Sequence, residues 1–101
     1  MQATFTANTL RITFDGDLIS SNVDALRTQI LIAMAQHPSA QTIVTDLSNA
    51  RMIDSKGINL LIALYRETQS RKISLIAENP SADIRRLLGL LKLSERFGLS
   101  A

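Results

Sequence analysis

The residues best suited to chemistry lie in one short run, Met52-Ile53-Asp54-Ser55-Lys56-Gly57-Ile58. A carboxylate and a hydroxyl stand side by side, a glycine follows, and apolar residues then recur at helical spacing. That order reads as the mouth of a helix, with Ser55 where an N-cap belongs. The unpaired N–H groups of a first turn and the positive end of the helix dipole favour negative charge. A phosphate on Ser55 would add about −1.5 to −2 units of charge at that end. The helix tolerates such a charge, whereas a partner docked over it does not. Ser55 is therefore suited to switch binding without unfolding the domain. Gly57 lacks a side chain and is expected to let another chain come close. Asp54 is expected to orient Ser55 or to touch a partner. An Asp-Ser pair ahead of an apolar helix also commonly serves only as a cap.

Other chemistries find little material. The chain has no Cys and a single His, His37. Disulfides, thiolate zinc sites and a Cys nucleophile are excluded. A hydrolase built on Ser55 needs an adjacent base and oxyanion donors. His37 instead falls at the expected end of a different helix, beside Pro38, where it is expected to be exposed. Asp15 and Asp17 bracket Gly16 in a turn, and two side chains supply too few oxygens for calcium. Asp46 is expected to hold the loop after its strand rather than to pair with Asp54 as acid and base. The expectation is a binding protein with no catalytic residues, no metal and no cofactor.

The chain has 101 residues, enough for a single domain spanning 1–101 with one core. Eleven basic and nine acidic residues give a net charge of +2. The basic residues are scattered, with Arg71-Lys72 and Arg85-Arg86 the adjacent pairs, and no aromatic-flanked stripe suggests direct nucleic-acid binding. No apolar run approaches the ~18 residues that span a bilayer, so membrane insertion is not expected. The start, MQATFTANT, lacks the form of a secretory signal, which makes the cytoplasm the expected location.

The elements that must position Ser55 follow from periodicity. Residues 3–6 and 10–14 read as strands around a turn at Ala7-Asn8, with Leu10, Ile12 and Phe14 alternating against Arg11 and Thr13. Asn22 is expected to cap a helix with Asp24 in its first turn and Val23, Leu26, Ile30, Ala33 and Met34 on its face. Leu31 and Ile32 widen that face, so good coverage is expected. His37-Pro38 ends the helix. Residues 42–47 form a β-branched central strand. A helix from Ser55 to about Ser70 follows, marked by Ile58, Leu61, Ile62 and Tyr65, with Leu60 and Leu64 broadening its apolar face, then a strand at 73–77. Ser81 caps a third helix with Asp83 in its first turn. Residues 94–99 read as a last short helix with Phe97 and Leu99 turned inward. The expected fold class is α/β: a mixed, mostly parallel sheet of four to five strands with about four helices packed on it. In such a sheet, sites gather beyond the carboxyl ends of the strands.

Taken together, the chain resembles a STAS domain, and among these the anti-sigma factor antagonists. The likeness runs through Asp15-Gly16-Asp17-Leu18, Ile43-Val44-Thr45-Asp46-Leu47-Ser48, Ile53-Asp54-Ser55-Lys56-Gly57-Ile58 and Arg86-Leu87-Leu88, in order. The resemblance implies partner switching in bacterial signal transduction. An unmodified antagonist binds an anti-sigma factor that is also a GHKL-type serine kinase, freeing the sigma factor for transcription. Phosphorylation ends the complex, and a PP2C-type phosphatase restores it. The resemblance implies Ser55 as phospho-acceptor, with Asp17, Asp54, Lys56, Gly57, Ile58 and Asn59 on the docking surface. Lys56 stands where the family often has a second Ser or Thr, Ile19 where it often has Asp, and Lys92 where it commonly has Gly. The alternative is a STAS scaffold or regulatory module serving a signalling complex or a transporter subunit.

Overall fold

The fold is that of a computed structural model, which describes residues 1–98. Seven elements follow in order: β1 (Gln2–Thr6), β2 (Thr9–Thr13), α1 (Ser20–Gln36), β3 (Thr42–Asp46), α2 (Ser55–Ser70), β4 (Ser74–Glu78) and α3 (Ala82–Leu90). The strands form one sheet in the order β1-β2-β3-β4. β1 and β2 are antiparallel, and the β2–β3 and β3–β4 pairs are parallel. The expected α/β class and mixed, mostly parallel sheet are therefore present.

The hairpin turns at Ala7 and Asn8, whose φ values are 51° and 62°. Two positive φ angles make the tight turn whose twist matches the strands it joins. Register then sorts the side chains. Leu10, Ile43 and Leu75 lie in one row, and Ile12, Thr45 and Ala77 in the next, all buried. Thr45 is the polar member of this face, and its hydroxyl donates to the Ile76 carbonyl at 3.2 Å. That bond meets the requirement that a buried polar group find a partner. On the other face, Arg11 bridges the Asp46 and Glu78 carboxylates at 3.5 and 2.7 Å.

The helices close one core around Phe14, Leu18, Leu47 and the buried sheet rows. α1 contributes Val23, Ile30, Ala33 and Met34; α2 contributes Leu60, Leu61 and Leu64; α3 contributes Ile84 and Leu88. Among the described residues, no helix is long and apolar enough to cross a membrane.

Four expectations need correction. α1 begins at Ser20 with Ile19 at the N-cap, so Asn22 is no cap and Asp24 lies beyond the first turn. The Asn22 amide instead donates to the Asp17 carbonyl at 3.0 Å. Leu31 and Ile32 stay 49% and 52% exposed. They lie about 100° and 200° round the helix from buried Ile30, outside the arc that meets the core. Residues 94–98 form turns rather than a fourth helix, and Leu99 lies outside the described residues. His37 is not simply exposed: its ring stacks on Phe5 with centroids 4.5 Å apart.

The final turns still do structural work. Lys92 takes a φ of 58° at the position where a glycine would be strain-free, and Leu93 N–H reaches back to the Leu88 carbonyl. Phe97 is 1% exposed, meets Tyr65 edge-on at 6.1 Å, and accepts a 2.7 Å bond on its carbonyl from Ala77 N–H. The last described turns thus lie along the outer edge of β4. Phe97→Ala is expected to cost about 3–5 kcal/mol through lost burial and the cavity left behind, read as a lower midpoint in urea unfolding.

Candidate functional site

The carboxyl ends of β2, β3 and β4 each lead into a loop that starts a helix, so three helix N-termini share one edge of the sheet. Each brings unpaired N–H groups and the positive end of a dipole. Two carboxylates answer that charge by crossing between loops. Asp17, after β2, accepts from the backbone N–H groups of Arg51 and Met52 at 2.9 and 3.0 Å. Asp54, after β3, accepts from Gly57 N–H at 3.0 Å and from Ser20 N–H at 2.8 Å. Asp54 therefore caps α2 and also supplies the cap that Ile19 cannot give α1.

The backbones of these loops are stitched as well. Leu18 N–H donates to the Met52 carbonyl at 3.0 Å, and Asp54 N–H to the Leu18 carbonyl at 3.2 Å. Leu18 and Ile53 form an isolated parallel bridge. Gly57 closes the arrangement from inside α2. A Cβ there would overlap the Leu18 carbonyl oxygen and stand 2.8 Å from Ile53 Cγ1. The absent side chain serves a close approach within the chain, rather than the approach of another chain. A third tie comes from Ser81, whose hydroxyl accepts from Ile84 N–H at 3.1 Å and sits 3.5 Å from the Arg51 carbonyl.

Electrostatics follow from these bonds. The N–H groups of Met52 and Arg51 hold the Asp17 carboxyl below its ordinary pKa. Those of Gly57 and Ser20 do the same for Asp54. Both carboxylates stay charged because their hydrogen bonds favour the ionised form. Burial pushes Asp46 upward, but the N–H and hydroxyl of Ser48, with Asn79 and Arg11, outweigh it and leave its pKa lowered. Ser48 N–H lies 3.0 Å from the Asp46 carboxylate, so Asp46 does hold the loop after its strand.

On this frame Ser55 is the first residue of α2 and is exposed. Asp54, not Ser55, occupies the cap, because its carboxylate reaches Gly57 N–H three residues on. That leaves the Ser55 hydroxyl with no hydrogen bond among the described residues. Lys56 and Asn59 are exposed beside it, Ile58 is half-buried, and Gly57 is buried. Asp54 and Asp17 are half-buried and engaged with the backbone, so they shape the surface more than they project from it. The sequence places Met52 in the key run but assigns it no role. Both its backbone groups are held, by Asp17 and by Leu18, while its side chain is 64% exposed. An apolar residue in a loop gave no sign of which way it pointed. No group of three or more His, Cys, Asp or Glu that could hold a metal occurs among the described residues.

The STAS domain family model matches residues 1–101. The chain belongs to the STAS domain family. Its fold is similar to that of a candidate anti-sigma factor antagonist from Thermotoga maritima, with TM-score 0.85, 15% identity, and 93% of this chain and 80% of that one covered. It is similar to the anti-sigma factor antagonist SpoIIAA in its unphosphorylated form, with TM-score 0.80, 24% identity, and 99% and 87% covered. The phosphorylated form of SpoIIAA from Bacillus matches with TM-score 0.75, 25% identity, and 99% and 90% covered. A segment of 61 residues is 34% identical to high affinity sulfate transporter 1 of Stylosanthes hamata, spanning 60% of this chain and 9% of that protein. The matched region is thus most of SpoIIAA but a small part of the transporter.

Two outcomes follow from the stitched loops. Gly57→Ala is expected to destabilise the fold by about 3 kcal/mol or more, since the new carbon meets backbone that cannot move away. The thermal midpoint should drop by at least about 10 °C. The depressed pKa values of Asp17 and Asp54 contribute stability that is complete above the ordinary carboxylate pKa of 3.8 and is lost as the pH falls through the lower native values. Asp54→Asn should therefore flatten the decline in urea midpoint between about pH 5 and pH 2.

Proposed function

We propose that this STAS domain is an anti-sigma factor antagonist acting by partner switching. Unmodified, it binds an anti-sigma factor that is also a GHKL-type serine kinase. Transfer of a phosphoryl group from ATP to the Ser55 hydroxyl ends that complex, and a PP2C-type phosphatase hydrolyses the phosphoserine to restore binding. The reading makes the chain a cytoplasmic signalling protein of bacteria and a substrate of enzymes rather than an enzyme itself.

One observation carries it: an exposed, unbonded hydroxyl at the first residue of a helix, on loops held rigid by Asp17 and Asp54. A rigid docking surface loses little entropy on binding. A dianion there is compatible with the helix, since the nearby N–H groups and dipole favour it. To a partner lying over Ser55 it presents bulk and a charge that must be desolvated. The likeness to SpoIIAA, of which unphosphorylated and phosphorylated forms are known, supports the same reading. His37 supports the absence of a Ser-His pair, because it lies at the end of α1, across the sheet from the loop that carries Ser55.

The likeness to the sulfate transporter favours a second reading, in which the domain regulates a transporter or scaffolds a signalling complex. The two separate by partner. Affinity capture from the native cell should return a GHKL-type kinase under the first reading and transporter subunits under the second. With the kinase and ATP, mass spectrometry should find phosphate on Ser55. Ser55→Ala should abolish labelling and keep binding. Ser55→Asp should weaken binding at least about tenfold, equivalent to ~1.4 kcal/mol. Labelling that persists in Ser55→Ala would overturn the assignment.

A further inference from the structure

The two edges of the sheet are treated differently by the chain. At β4 the last turns lie alongside the strand, and Phe97 accepts from Ala77 N–H. At β1, the other end of the strand order, no element among the described residues covers the edge. The hydrogen-bond pattern shows which groups are left open. Asn8 and Phe14 bond towards β3, through Gln41 N–H to the Asn8 carbonyl and Phe14 N–H to the Asp46 carbonyl. The odd residues of β2 therefore face β1, where Thr9, Arg11 and Thr13 stand opposite Thr6, Thr4 and Gln2. Ala3 and Phe5 point their N–H and carbonyl groups outwards, with no partner among the described residues.

Natural edges are protected from pairing by charge, proline, bulges or cover. β1 reads Gln-Ala-Thr-Phe-Thr and has none of these. Its register with β2 runs without a bulge. The nearest charge on the neighbouring strand, Arg11, turns towards Asp46 and Glu78, away from the edge.

We propose that β1 pairs antiparallel with β1 of a second copy, about a twofold axis through Thr4, to make one continuous sheet across two chains. The sequence suits that register. Ala3 faces the partner's Phe5 as a hydrogen-bonded pair, small against large, on the face that carries Leu10 and Ile12. Four outward groups per chain, the N–H and carbonyl of Ala3 and of Phe5, then exchange bonds with their counterparts. Thr4 meets the partner's Thr4, and Gln2 meets the partner's Thr6, on the polar face. No charged side chain of β1 enters the junction, and the Met1 ammonium, ion-paired with Asp15, stands at its end. The contact is isologous and uses the β1 edge of both copies, so it closes as a twofold dimer rather than a fibre. A junction of one short strand per chain belongs to the weak, concentration-dependent class. Ser55 lies at the carboxyl ends of the strands rather than on this edge, so both Ser55 sites remain available in the dimer.

Sedimentation of the full chain should show the mass rising from one copy towards two between about 10 μM and 1 mM. Over the same range the amides of Ala3 and Phe5 should become protected from hydrogen exchange. Cysteine cross-linking fixes the register, and the native chain has no Cys to interfere. In the proposed pairing the two Thr4 Cα atoms lie about 4.5 Å apart, within disulfide reach, whereas the two Thr6 residues are about 13 Å apart. Under mild oxidation Thr4→Cys should cross-link at least about tenfold faster than Thr6→Cys. Ala3→Pro removes only an outward N–H, so it should abolish dimerisation while leaving the circular dichroism spectrum native. A mass that stays at one copy up to 1 mM, or equal cross-linking at the two positions, would overturn the proposal.

Discussion

One carboxylate organises this domain's working edge. Asp54 accepts from Ser20 N–H and Gly57 N–H at once, so a single side chain caps α1 and α2. Neither helix is complete without it: α1 has apolar Ile19 at its N-cap, and α2 has its exposed serine one position too late to cap. The bond also sets the distance between the two helix starts, because Gly57 must pass directly under the Leu18 carbonyl. A contact that close admits no side chain and leaves little play. Asp17 repeats the device in the opposite direction, reaching from the β2 loop to the backbone of the β3 loop. The result is a pair of loops with reciprocal ties, in which moving either one breaks bonds in both.

On the proposed reading, that rigidity lets a small surface act as a switch. A phosphate on Ser55 would add charge at a helix end whose N–H groups are already partly satisfied by Asp54, so the backbone would have no reason to rearrange. The change would be felt by whatever lay over the surface formed by Met52, Ser55, Lys56 and Asn59. Met52 offers an exposed apolar side chain on a fixed backbone, the kind of anchor that loses little entropy when buried. Lys56 brings the exposed cation next to the acceptor, which allows a phosphate on Ser55 to be partly neutralised by the same helix.

Much of the architecture was legible because it rests on periodicity. Alternation in Leu10–Phe14 and the β-branched run Thr42–Leu47 each indicate what must be buried, and burial places them; in α2 the marked Ile58, Ile62 and Tyr65 stay half-buried, while Leu60, Leu61 and Leu64 enter the core. Asp54-Ser55 was legible as a helix start for the same reason, although the identity of the cap was not. Capping depends on whether a carboxylate or a hydroxyl reaches the third N–H, and a one-residue difference in helix boundary decides it. Asn22 misled in a similar way. It has the composition of a cap, but α1 had already begun two residues earlier, held by a side chain from another loop. Leu31 and Ile32 misled because apolar content alone does not say how wide an arc the core can receive.

By itself, then, the amino-acid order determined the strand and helix sequence, the α/β class, the family likeness and Ser55 as the residue of interest, since each depends on local pattern and composition. Tertiary structure decided that Asp17 and Asp54 act across loops, that Gly57 makes room for Leu18 rather than for a visitor, and that Met52 faces outwards. It also decided that β4 is covered while β1 is open. Those facts depend on residues about twenty or more positions apart meeting in space, and no local pattern carries that information.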